Sequence, residues 1–131
     1  MAAKLNIVIV GGCGHVGLPL GIVLATRGAA QVTLLDVATS KVESVNNGRM
    51  PFMETGAEEL LRSVIGKNLW ATLDTSCLRT ADAAITVVGT PVDEHLNPTV
   101  AELYENVHSA IDCEIECTIT LNSNICRSYR L

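Results

Sequence analysis

Three glycines, Gly12, Gly14 and Gly17, follow the apolar run "NIVIV" (6–10) at the spacing G-x-G-x-x-G, and small apolar residues, "LPLGIVLA", come directly after them. Glycine at these positions serves the backbone: Gly12 permits a tight turn, Gly14 lets a ligand come close to the main chain, and Gly17 lets a helix pack against a strand. A strand that enters a helix through such a loop offers free N–H groups and the positive end of a helix dipole, which together receive phosphate. The glycines alone also fit a plain strand-to-helix turn. Asp36 decides between the two readings. It stands 19 residues beyond Gly17, at the end of the strand-like run "QVTLLD" (31–36), where a carboxylate can accept both hydroxyls of a ribose. Gly12, Gly14, His15, Val16, Gly17 and Asp36 therefore read as a dinucleotide site. The acidic residue selects NAD over NADP, because a 2′-phosphate would face a like charge and no arginine follows to offset it.

These residues need a scaffold, and the chain alternates strand-like and helix-like pieces. "KLNIVIV" (4–10) reads as a buried strand, "GHVGLPLGIVLATRG" (14–28) as a helix closed by Gly28, and "QVTLLD" as the next strand. Pro19 falls near the first turn of that helix, where a missing N–H costs little. "TSKVESVNNG" (39–48) predicts a short helix with a glycine stop, and a second helix is expected over about 57–66. "LWATLD" (69–74) and "DAAITVVG" (82–89) predict strands flanking a short helix, Pro98 to Asp112 a further helix, and "CTITLNSNIC" (117–126) a final strand. The order implies one α/β domain, a Rossmann-like doubly wound parallel sheet.

Composition agrees. The 131 residues suffice for one domain, 48% are hydrophobic and only 3% aromatic, the Ala/Val/Leu/Ile mixture of strands buried between helices. A net charge of −5 with no basic cluster removes the electrostatic footprint for nucleic acid or an anionic membrane. The start "MAAKLNIVIV" is too short in its apolar run for a signal core or a span, so a cytoplasmic protein is expected. Five cysteines at 13, 77, 113, 117 and 126 show no paired framework and no metal-ligand spacing, so no metal is expected. His95 and His108 show no spacing that suggests a base or ligand.

Further residues resemble one family. "VGGCGHVGLPLG" (10–21) is similar to the opening of the UDP-glucose/GDP-mannose dehydrogenase family, and Lys41-Val42 follow Asp36 as in its next segment. "GRMPFMETGAEELL" (48–61), "ADAAITVVGTPVDE" (81–94) and "NPTVAEL" (97–103) match three more of its motifs in order. The resemblance implies an enzyme that oxidises the C6 hydroxymethyl of a nucleotide sugar to a carboxylate with two NAD, feeding polysaccharide synthesis. It adds Lys41, Gly89, Thr90 and Pro91 to the cofactor-binding residues. Gly89 and Thr90 would end a strand at the carboxyl edge of the sheet, and Pro91 would fix the loop that leaves it. Glu54 is expected to anchor its loop, and His15 has no catalytic role.

The departures carry equal weight. The family's nucleophilic Cys, its Lys, the central helix and the C-terminal sugar-binding domain have no counterpart in these residues, so no catalytic residue is assigned. "CRSYRL" follows the family's last cofactor-domain strand through Ser128 and then leaves it; a single inserted base would convert Ser-Thr-Val-Tyr codons into Ser-Tyr-Arg-Leu, so the end is expected to be accidental or engineered. The expected behaviour is NAD binding without turnover, a nucleotide-sugar partner only with the missing domain, and self-association through exposed apolar surface and sheet edge. Two alternatives stand beside this: a stand-alone NAD-binding module, and the cofactor domain of a 3-hydroxyacid or 6-phosphogluconate-type dehydrogenase.

Overall fold

β1 (Leu5–Val10) starts the chain of elements and α1 (Gly17–Thr26) follows it. They belong to a computed structural model that describes residues 4–28, 30–87, 117–121 and 126–130. β2 (Ala30–Leu35), α2 (Thr39–Asn46), α3 (Ala57–Val64) and β3 (Leu69–Thr72) come next, then a 3-10 helix (Thr75–Thr80), β4 (Ala83–Val87), β5 (Cys117–Leu121) and β6 (Cys126–Arg130). The strands form one sheet in the order β3-β2-β1-β4-β5-β6. β1 runs parallel to β2 from Leu5↔Ala30 to Val10↔Leu35, and parallel to β4 from Ile7↔Ala83 to Val10↔Thr86.

Alternation along the strands builds two cores. Ile9, Val32, Leu34, Leu69, Ala71 and Ile85 face α1 to α3, whose Leu18, Ile22, Val42, Val45, Leu61 and Val64 fill the layer between. Val8, Leu35 and Ala84 face the other way, onto Leu78 of the 3-10 helix. Each fully buried Leu, Ile or Val contributes about 1.5–3 kcal/mol of transfer free energy. Strands buried on both faces are those of a parallel sheet under helices. The helix expected over 98–112 lies outside the described residues.

The final strand departs from expectation. The run 117–126 is divided between β5 and β6, which pair antiparallel from Cys117↔Arg130 to Leu121↔Cys126. The sheet is therefore parallel across β3-β2-β1-β4-β5 and closes on one antiparallel edge strand.

The opposite edge is covered. The Asn46 side chain at the end of α2 donates to the Ala71 carbonyl at 2.9 Å and accepts the Ala71 N–H at 3.0 Å, so an amide completes the hydrogen bonds of β3 as another strand would. Asn68 joins β3 to α1 through the Ala25 carbonyl at 2.5 Å.

Candidate dinucleotide-binding site

The order of strands places β2 on one side of β1 and β4 on the other, and the crevice at such a reversal, outside the carboxyl ends of the strands, is where α/β sheets take ligands. The glycine loop occupies that position. Its first amides are tied inward: Gly11 and Gly12 donate to the Leu35 carbonyl at 2.8 and 3.2 Å, Cys13 donates to Asp36 Oδ2 at 3.0 Å, and Gly14 donates to the Gly11 carbonyl at 3.3 Å. The N–H groups of His15, Val16 and Gly17 find no acceptor among the described residues. Val16, the N-cap of α1, supplies no side-chain acceptor, and the first turn holds no acidic residue. The helix thus keeps its positive end open, where Ser, Thr or Asp would ordinarily close it.

Each glycine has a separate reason. The left-handed turn belongs to Gly11, at φ 77°, and not to Gly12 as the fingerprint predicts. Gly12 is required because a Cβ there would lie 2.8 Å from the Ile9 carbonyl and from Leu34 Cα. At Gly17 a Cβ would come within 2.5 Å of the Gly11 carbonyl oxygen, which is what lets α1 press onto the loop. Gly14 differs: a Cβ there meets only the Gly11 oxygen, at an ordinary 3.5 Å. The fold itself leaves that space open, and a pyrophosphate over such a loop would need it.

Asp36 stands where its spacing predicts, just after β2. Its Oδ1 accepts the Ala38 N–H at 3.1 Å, while Oδ2 holds Cys13. A carboxylate has about four acceptor positions, so two remain for a ribose diol. Lys41, in the first turn of α2, is exposed. Its charge acts on the buried Cys13, whose thiol is pushed up to about 12 by burial first and by the Asp36 carboxylate second, with Lys41 opposing. Asp36 thus holds the loop directly, and Lys41 lies in the first turn of the helix that follows it. The groups brought together fit NAD: an open helix terminus and a cleared Gly14 for the phosphates, and a carboxylate with free acceptor positions for the ribose. Gly89, Thr90 and Pro91 lie outside the described residues.

Phe52, Glu58 and Arg62 also shape the site, although no spacing in the sequence singles them out. Phe52 stacks on His15 with ring centroids 4.2 Å apart and planes tilted by 30°, which brings the loop 49–56 against the start of α1. That loop is anchored by Glu58 and Arg62, not by Glu54. Glu58 Oε2 accepts the Met50 N–H at 3.4 Å, Arg62 Nε donates to the Gly48 carbonyl at 3.2 Å, and the two side chains pair at 2.6 Å. The Glu54 carboxylate has no partner among the described residues and lines an open groove of about 460 Å³ with Phe52 and Met53. No three His, Cys, Asp or Glu residues converge as metal ligands among the described residues. No helix there is long and apolar enough to cross a membrane.

The sequence model described as "UDP-glucose/GDP-mannose dehydrogenase family, NAD binding domain" matches residues 5–125. The chain belongs to this family. It is 37% identical over 82 residues to a GDP-mannose 6-dehydrogenase of Pseudomonas syringae pv. syringae, covering 61% of this chain and 18% of the relative. It is 30% identical over 126 residues to a UDP-glucose 6-dehydrogenase of Streptococcus pneumoniae, covering 93% and 31%. Among solved structures, a GDP-mannose dehydrogenase ternary complex from Pseudomonas aeruginosa superposes with a TM-score of 0.80 at 24% identity, covering 91% of this chain and 28% of that one. A 3-hydroxyacyl-CoA dehydrogenase from Archaeoglobus fulgidus shares the fold at a TM-score of 0.61. The chain spans 14–31% of the length of the curated relatives described or compared with it. This UDP-glucose/GDP-mannose dehydrogenase domain is an NAD-binding Rossmann unit.

Proposed function

We propose that this domain is the cofactor half of a cytoplasmic nucleotide-sugar 6-dehydrogenase, which oxidises the C6 hydroxymethyl of a UDP- or GDP-sugar to a carboxylate for polysaccharide synthesis, and that residues 1–131 by themselves bind NAD without turnover. NAD supplies the hydride acceptor. The chain supplies its seat: the amides of His15, Val16 and Gly17 take the pyrophosphate over Gly14, Asp36 takes the adenosine ribose, and Lys41 adds positive charge at the same edge. Gly89, Thr90 and Pro91 complete the site by their match to the family pattern. The uncapped start of α1 above a glycine that only a ligand needs carries this reading. The names of the relatives supply the substrate class. None of the five cysteines lies in a matching nucleophile motif, so no residue of this chain is given a role in the sugar chemistry.

Calorimetry with NAD, NADH, NADP and NADPH tests the cofactor assignment. NAD and NADH are expected to bind and the phosphorylated pair to bind more weakly, because a 2′-phosphate meets the Asp36 carboxylate. Tighter NADPH binding overturns it. No NADH is expected from a panel of UDP- and GDP-sugars, and steady turnover by the purified chain overturns that part.

A further inference from the structure

Asp36 is the acidic residue expected to hold ribose, yet both of its oxygens already accept backbone N–H groups. One comes from Cys13 in the middle of the glycine loop, 3.0 Å from Oδ2; the other from Ala38 at the start of α2, 3.1 Å from Oδ1. The residue before it, Leu35, accepts the two preceding loop amides through its carbonyl. Three successive N–H groups, those of Gly11, Gly12 and Cys13, are thus fastened to the last residue of β2 and to Asp36. The next three, those of His15, Val16 and Gly17 beyond the Gly14 turn, are left open. A loop of four glycines among seven residues (11–17) loses much backbone entropy when it is fixed, and a ligand that must fix it binds more weakly by that amount.

We infer that Asp36 is a positioning residue of the phosphate-binding loop as well as a ribose acceptor: its carboxylate holds the Cys13 amide so that the open amides of residues 15–17 are set for pyrophosphate before any cofactor arrives. This rests on the cofactor reading of the site and extends it to the half of the ligand that Asp36 does not touch. The two roles are compatible, because two acceptor positions of the carboxylate serve the chain and two remain for the diol. A carboxylate is required. In Asp36→Asn the single amide oxygen can serve one of the two N–H groups, and the Nδ2 donor then faces the other.

The test uses the intact chain and two readouts. Without cofactor, amide hydrogen exchange in Asp36→Asn and Asp36→Ala is compared with wild type. Exchange at Cys13 and Ala38 is expected to rise about 10- to 100-fold, as loss of a charge-assisted hydrogen bond requires, while the Ile9 and Val32 amides stay protected. The second readout is calorimetric binding of inorganic pyrophosphate, which has no ribose. Removing a negative charge beside an anion site tightens binding through lost Coulomb repulsion alone, whereas loss of the held loop weakens it, by about three- to tenfold on the present inference. Weaker pyrophosphate binding in both variants supports the positioning role. Unchanged Cys13 exchange, or equal or tighter pyrophosphate binding with NAD affinity alone reduced, overturns it and leaves Asp36 a ribose ligand only. A wild-type chain that binds neither NAD nor pyrophosphate defeats the cofactor reading instead, and the exchange readout then decides separately whether Asp36 holds the loop.

Discussion

Cys13 shows how one residue ties chemistry to stability. Its amide belongs to the Asp36 bond while its side chain is fully buried, and burial with the neighbouring carboxylate lifts the thiol from 9.0 to about 12. Below about pH 9 the thiol is protonated in folded and unfolded chains alike, so its contribution to stability is fully present. Between about 9 and 12 the unfolded chain releases the proton and the folded chain keeps it, so stability falls with rising pH, by up to tenfold in the folding constant per pH unit. Urea unfolding between pH 8 and 10.5 is expected to show this extra decline in wild type and to lose it in Cys13→Ala. Equal slopes in the two proteins would show that the thiol ionises freely. The same burial leaves this cysteine inert toward thiol reagents while the domain is folded.

Between elements, the contrast of Gly14 with Gly17 separates a space the fold leaves open from a space closed by packing. Gly17→Ala drives a methyl into the Gly11 carbonyl and the Gly12 Cα, so α1 must back away from the loop, at a cost of about 1–3 kcal/mol. Gly14→Ala meets only an ordinary contact and is expected to change stability by less than about 0.5 kcal/mol, yet to weaken NAD binding at least about tenfold as the methyl enters the pyrophosphate's place. Thermal unfolding and calorimetry on the pair check this, and equal loss of affinity without loss of stability in both would refute the division. Much of the arrangement was legible in sequence. The periods of "KLNIVIV", "QVTLLD" and "LWATLD" placed β1 to β3, and the Gly28 stop, at φ 71°, placed the end of α1. The position of Asp36 was readable because it follows directly from the end of a strand. What escaped depends on tertiary approach: Phe52 reaches His15 across 37 residues of chain, and Gly11 takes the turn because Gly12 is confined between β1 and β2.

For the whole molecule, apolar side chains remain on the outside. Val23 on α1, Leu60 on α3 and Trp70 on β3 are each 40% exposed or more, and Val37 and Met53 almost entirely so. Such surface on a domain that spans a minor part of its relatives' length predicts association at raised concentration. Sedimentation from micromolar upward is expected to show it, and a clean monomer throughout would mark a self-sufficient binding module. The edges of the sheet set how far such association goes. Asn46 occupies the outward N–H and carbonyl of Ala71, so β3 has little left to offer a neighbour, whereas β6 pairs on one side only among the described residues. One asparagine amide at the β3 rim thus does for this sheet what a doorstop does for a door, and copies of the domain cannot lengthen it from that side at Ala71.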